Sequence, residues 1–353
     1  MVTLKDIAAE AGVSIMTVSN VINGNHSKVS KKTIEKVEKI IQKYNYVPNL
    51  TARSLTAKSS KIIGVIVPIK GSFNNLFKDP YISELFGIIQ NVVRENGYYL
   101  MIRSVKDVSD ISALLKNWNM DGAIFLMPDY DNLIYSILKE NKLPMVFLDS
   151  YSKIDNIISV GINDYKGGYI ATRYLINNGH RKILFAGPCH KDDVPIPQII
   201  KRLEGYKDAL LESNIEFNEN LIVDVEPNYE IGMNLGRSIC NKEFDVTAVF
   251  ATADIMGIGI IEGAKLNGKI VPNDLSVIGF DNLLPSVYVT PKLTTISQDI
   301  ESKATKAVNL LIEYIEKGYV SNNKITLDVE LVERQSVGQL SNLEYQANSE
   351  SIK

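Results

Sequence analysis

"KDIAAEAGVSIMTVSNVINGN", residues 5–25, decides how the rest of the chain is read. Leu4, Ile7, Ala8 and Ala11 recur at the i, i+3, i+4, i+7 spacing of one helix face. Thr3 precedes that run and Asp6 follows it by three residues, the spacing of a capping box. Gly12 suits the left-handed backbone that ends a helix. Ser14 is placed to cap a second helix, with Val18, Val21 and Ile22 facing inward. The small Ala8 and Ala9 let two short helices cross closely. Short helix, glycine turn and short helix make a helix-turn-helix pattern, although a plain αα-hairpin satisfies the same spacing. A third helix fits residues 30–44, with Ile34, Val37, Ile40, Ile41 and Tyr44 on one stripe.

Charge separates this head from the body. Residues 1–61 hold ten Lys/Arg against four Asp/Glu, while the whole chain of 353 residues carries a net −3. A basic head on an acidic body suits contact with phosphates, where counterion release contributes affinity. Several lysines between 31 and 43 also read simply as a solvated helix face. The length predicts two or three domains. Two cysteines, Cys189 and Cys240, give no disulfide framework, and no Cys/His cluster has zinc spacing. The N-terminus does not read as a signal peptide, and no apolar run approaches about 18 residues. The expectation is a soluble, cytoplasmic protein.

Residues 49–61 are polar and read as a linker, or as a segment that folds on a partner. Beyond them β-rich runs at 62–68, 98–104, 122–128, 144–150, 182–188, 221–227, 248–254 and 275–281 alternate with helical patterns. Those helices fit 81–95, 166–177, 198–211 and 255–266. The alternation predicts two α/β lobes built on parallel sheets, with ligand at the C-terminal strand ends. Residues 293–318 read as a strand and a long helix, 325–338 as final strands, and 339–353 as a polar tail.

Gly263 to Lys269 match the first seven places of a phosphate-binding loop, but Ile270 stands where the metal-binding hydroxyl belongs, and the match ends a helix. His180 reads as a loop residue before a strand. Asp149, Asp254 and Asp281 close strands, and with no partnered nucleophile they read as acceptors for hydroxyls. No catalytic residue, metal or cofactor is expected.

At this point the chain resembles the LacI/GalR family of bacterial transcription regulators over about residues 2–338. The resemblance rests on "TLKDIAAEAGVSIMTVSNVIN", "VSKKTIEKVEKIIQKYNYVPNLTARSL", "GVIVP", "DGAIF", "FLDSY", "NNGHRKILFAGP", "RLEGYKDAL", "VIGFDN" and "LTTISQD". It implies an all-α helix-turn-helix head (1–47), a hinge helix (48–60) and a two-lobed, periplasmic-binding-protein-like α/β core (61–338). Lobe one would take about 61–161 and 296–322, and lobe two 162–295 and 323–338. It further implies a homodimer on pseudo-palindromic operator DNA, repressing carbohydrate genes under control of a sugar or sugar derivative. A solute-binding protein is the rival reading, and an enzyme the third.

By position, the resemblance places Ile15, Met16 and Asn20 at base edges and Ser14, Thr17, Ser19 and Asn23 near phosphates. Asn20 replaces the family's usual Arg, which shifts the expected base from guanine to adenine. Asn49, Thr51, Ala52, Arg53 and Leu55 match the minor-groove hinge, with Leu55 as its wedge. Asp149, Arg202, Asp281 and Gln298 match effector contacts, Asp254 lies beside another, and Ala253 replaces a usual Asn. Asp79-Pro80-Tyr81 replaces the common Asn-Pro-Phe. Phe73, Phe77 and Tyr81 offer ring-covering aromatics, and Lys70 a cation.

Overall fold

The computed structural model describes residues 2–46, 59–68, 76–105, 108–126, 131–189 and 196–340. The chain forms two compact units, Met1–Lys61 and Ile62–Lys353.

Among the described residues the first unit holds three α-helices, α1 (Leu4–Ala11), α2 (Ile15–Ile22) and α3 (Lys31–Lys43). The capping box at Thr3 is present. The Asp6 N–H donates to Thr3 Oγ1 at 3.3 Å, and the Thr3 N–H donates to Asp6 Oδ2 at 2.9 Å. Gly12 ends α1 at φ 66. Ile7, Ala8, Ala11, Val18, Val21, Val37 and Ile40 form the core. Two expectations fail. Ala9 is exposed, because it stands two positions past Ile7 and points away from the crossing, so Ala8 and Ala11 make the close approach. Tyr44 caps α3 in solvent, with the Lys43 ammonium 4.9 Å above its ring.

Among the described residues the second unit holds two six-stranded sheets. The strands are β1 (Ile62–Pro68), β2 (Tyr99–Val105), β3 (Gly122–Leu126), β4 (Met145–Leu148), β5 (Ser159–Ile162), β6 (Ile183–Gly187), β7 (Ile222–Asp224), β8 (Ala248–Ala251), β9 (Ser276–Asp281), β10 (Thr294–Gln298), β11 (Lys324–Leu327) and β12 (Val329–Val332). Around them pack α4 (Pro80–Glu95), α5 (Val108–Asn117), α6 (Asp131–Glu140), α7 (Asp164–Asn177), α8 (Pro197–Glu212), α9 (Tyr229–Cys240), α10 (Asp254–Leu266) and α11 (Ile300–Lys317). The first sheet runs β11-β5-β4-β3-β1-β2 and is parallel throughout. The second runs β12-β10-β9-β8-β6-β7, with only β12 antiparallel. β3, β4, β6, β8 and β9 are buried at every residue, as parallel strands covered on both faces must be.

The two α/β lobes match the expected architecture, but their boundaries move. Residues 296–298 complete β10 in the second sheet. Residues 324–327, assigned to the second lobe from sequence, pair parallel with β5 in the first. The reason is a ladder that the Ser159 N–H extends by donating to Asn323 O at 2.7 Å. The chain thus crosses between lobes after β5, after β10 and between β11 and β12. The tail expected from Gln339 stays attached one residue further, where the Leu340 N–H donates to Asn178 O.

Glycines let helix pairs touch backbone to backbone. A Cβ on Gly168 of α7 would lie 2.0 Å from Arg202 O of α8. One on Gly263 would lie 2.1 Å from Met233 O, which explains the first glycine of the phosphate-loop look-alike as a helix contact.

Candidate functional site

In the head, α2 carries the side chains that the sequence assigned to base and phosphate contacts. The Ser14 hydroxyl accepts from the Thr17 N–H at 3.1 Å and shares a 2.9 Å bond with the Thr17 hydroxyl. This cap fixes the first turn. Ile15 and Met16 on that turn are 49% and 73% exposed, although both are large apolar groups. Asn20 lies one turn beyond Met16 on the same face. Ser19 and Asn23 are joined by a side-chain bond of 3.2 Å. Val18 and Val21, on the opposite side, anchor the helix. The result is a short, capped helix that holds the large apolar groups of Ile15 and Met16 outward. Asn49, Thr51, Ala52, Arg53 and Leu55 lie outside the described residues, as do Lys70 and Phe73.

In the second unit, the C-terminal strand ends of the two sheets meet. Asp149 follows β4 at φ 53, and Asp281 ends β9 at φ 116 with Asn282 at φ 60. Three non-glycine residues in left-handed backbone mark strain stored where the lobes face each other. Arg334 holds the strained loop. Its guanidinium donates to Ser286 Oγ at 3.0 Å, to Leu293 O at 2.7 Å and to Asn282 Oδ1.

Two buried ion pairs organise the cleft. Lys303, on the first turns of α11, lies 2.9 Å from Asp149 Oδ2, and its ammonium also donates to Tyr81 Oη and to Gln298 Oε1, each at 2.6 Å. Tyr81 comes from the start of α4, where Asp79 caps the Tyr81 N–H at 2.9 Å and Pro80 opens the helix. The Gln298 amide donates to Asp281 Oδ1 at 2.5 Å. The second pair is Arg202 with Asp164, at 2.8 Å. Tyr151 donates to the other Asp164 oxygen at 2.6 Å. Arg202 also donates to Thr252 O at 2.7 Å, and its guanidinium carbon sits 3.4 Å over the Phe280 ring.

Burial pushes the Asp281 carboxyl up to about 7, against the opposing charge of Arg202 and the bond from Gln298. Asp164 is raised for the same reason, again against Arg202. For Arg202 burial works against the charge, but Asp164 and Asp281 outweigh it and hold the guanidinium above its ordinary value. Gln198, at the start of α8, spans the cleft by donating to the Asp149 carbonyl. Its Oε1 is buried with no partner among the described residues, and so is Thr252 Oγ1. Orphaned buried polar atoms are costly, so these two call for a partner.

The structure therefore links Asp149, Gln298 and Asp281 through Lys303, and sets Arg202 in a second cluster with Asp164, its charge acting on Asp281. Asp254 differs. It is fully buried at the start of α10, and its two oxygens accept from the Thr295 hydroxyl at 2.5 Å and the Leu283 N–H at 2.8 Å. That geometry ties β10 to the loop after Asp281. Ala253 precedes it as a half-buried cap with no side-chain bond. Phe77 stands 58% exposed, edge-on to Phe86. His180 is a buried loop residue between Thr247 Oγ1 and Gly338 O. Sequence reasoning missed Lys303, Gln198, Asp164, Tyr151 and Thr252 as members of the cleft.

A family model described as bacterial regulatory proteins, lacI family, covers residues 3–49, and one for a periplasmic binding protein-like domain covers 172–337. The chain is 37% identical over 343 residues to the HTH-type transcriptional regulator MalR of Clostridium butyricum, covering 94% of this chain and 98% of that protein. The lac repressor dimer bound to operator and the anti-inducer ONPF superposes with a TM-score of 0.83 at 27% identity, over 96% of this chain and 99% of the other. The transcriptional regulator CelR in complex with cellobiose gives 0.69 at 27% identity, over 95% and 100%.

Proposed function

The chain belongs to the LacI family of bacterial regulatory proteins, and from that premise we propose that it is a ligand-responsive repressor of carbohydrate genes whose effector is a neutral polyhydroxylated molecule. As a homodimer it binds pseudo-palindromic operator DNA through Ser14, Ile15, Met16, Thr17, Ser19, Asn20 and Asn23, with the hinge residues Asn49, Thr51, Ala52, Arg53 and Leu55 in the minor groove. A two-fold protein on a two-fold site follows from symmetry. Ligand and DNA bias one equilibrium of the core, which makes their coupling reciprocal.

One observation carries the ligand class. Among the described residues the two buried cations of the cleft, Lys303 and Arg202, are already paired with carboxylates, while Gln198 Oε1 and Thr252 Oγ1 are buried and unsatisfied. Among the described residues an anionic ligand finds no unpaired buried cation there, whereas hydroxyl donors find waiting acceptors. Asp254 serves this site indirectly, by holding the loop that carries Asp281. The MalR relative is a transcription regulator matched over nearly its whole length, which favours this reading over a solute-binding protein.

Calorimetry with neutral sugars, sugar acids, sugar phosphates and purines tests the proposal. The expected result is tightest binding by a neutral sugar, abolished in Arg202→Ala. Tightest binding by a purine or a phosphate ester refutes the ligand class.

A further inference from the structure

We propose that Lys303 sets the charge class of what the cleft accepts: its buried ammonium neutralises Asp149 and orients Gln298, so Asp149 is not free to pair with a cationic ligand, which is turned away. The inference rests on the sugar-cleft reading above and adds a specificity-determining residue to it.

Lys303 lies on the inward stripe of α11 with Ile300, Ala304 and Ala307, all buried. An apolar side chain would be ordinary at that position. A lysine whose side chain is 1% exposed carries a desolvation cost that only good partners offset. It has them. An ammonium has three protons, and three groups receive them: the Asp149 carboxylate at 2.9 and 3.0 Å, Tyr81 Oη and Gln298 Oε1. The bonds are directional in consequence. Tyr81 spends its own proton on Asp149 Oδ2 at 2.7 Å and so turns a lone pair to the ammonium. Gln298 turns its carbonyl to Lys303, which leaves its NH₂ for Asp281. Lys303 thereby joins Asp149 of the first lobe to Asp281 of the second through one amide. Without it, Asp149 becomes a buried carboxylate open to the ammonium of a ligand.

Two measurements on the full chain test this. In urea unfolding, Lys303→Met lowers the midpoint, and adding Asp149→Asn in the same chain recovers most of the loss, because the uncompensated carboxylate is gone. Strictly additive losses overturn the neutralisation. In binding assays, D-glucose and cellobiose are paired with D-glucosamine and the glucosamine disaccharide. Lys303→Met raises the affinity ratio of amino sugar to neutral sugar at least tenfold over the parent. A parent that binds a neutral sugar and a variant with an unchanged ratio overturn the role of Lys303 alone. A parent that binds none of the neutral sugars overturns the sugar reading, and the selection claim with it.

Discussion

Asp281 links the chemistry of the cleft to a quantity measurable without ligand. Its carboxyl is pushed up to about 7 by burial in the folded chain, whereas an unfolded aspartate titrates near 3.9. Between those values the folded protein holds a proton that the unfolded chain has lost. The contribution of this group to stability therefore falls as pH rises from about 4 to about 7, and stays level above that. Asp281→Asn has no such slope, and its Oδ1 still accepts from Gln298. We expect the urea midpoint of the variant, relative to the parent, to improve from pH 4.5 to pH 8. A difference independent of pH contradicts the buried-acid assignment. At this scale legibility was uneven. Asp149 and Asp281 show themselves as acidic strand ends, while Arg202 and Gln298 emerged only through the family resemblance. Lys303 carried a signal that went unread, a lysine on the apolar face shared by Ile300, Ala304 and Ala307. Gln198 and Thr252 carried none, because their partners Asp149 and Arg202 lie 49 and 50 residues away and only the fold brings them together. Asp254 misled because an acidic strand end looks the same whether it faces a ligand or, as here, a threonine and a backbone N–H.

Helix contacts decide where Arg202 stands. Gly168 lets α7 and α8 touch at the backbone of Arg202 itself, so the guanidinium meets Asp164 at the head of α7. Gly168→Ala puts a Cβ 2.0 Å from Arg202 O, a backbone atom with no side-chain freedom to yield. The helices must part, at a cost of about 1–3 kcal/mol, and the Arg202–Asp164 pair loosens. A urea midpoint and sugar affinity both equal to the parent's would contradict this packing account. Helices and central strands were readable because their periodicity is local: the 62–68, 182–188 and 275–281 runs and the capped α1 and α2 stand near where the residues put them. α5, α6, α9 and β5 were not read out, and β11 was put in the wrong lobe. β11 is a four-residue edge strand whose burial alternates between exposed and half-buried. Its sheet is chosen by pairing with β5, more than 150 residues earlier, and nothing within the strand records that choice.

The whole molecule joins a basic helix-turn-helix unit to a two-lobed core, and both were legible once the head and the alternating strands were read together. Among the described residues no helix is long and apolar enough to cross a membrane. The account's central claim is that occupancy of the cleft and occupancy of DNA are coupled in one chain. The direct measurement is a fluorescence-anisotropy titration of an operator selected from random DNA, with the full chain, in the presence and absence of the best-binding neutral sugar, for the parent and for Arg202→Ala. Because phosphates supply much of the affinity, it is run at several salt concentrations, where a steep fall is expected. The account predicts that the sugar shifts the parent's operator affinity by about tenfold, within the usual range of coupling between sites. It also predicts that Arg202→Ala abolishes that shift while its affinity without sugar stays at the parent's. Operator affinity in the parent that no bound sugar moves, or an equal shift in Arg202→Ala, would contradict it.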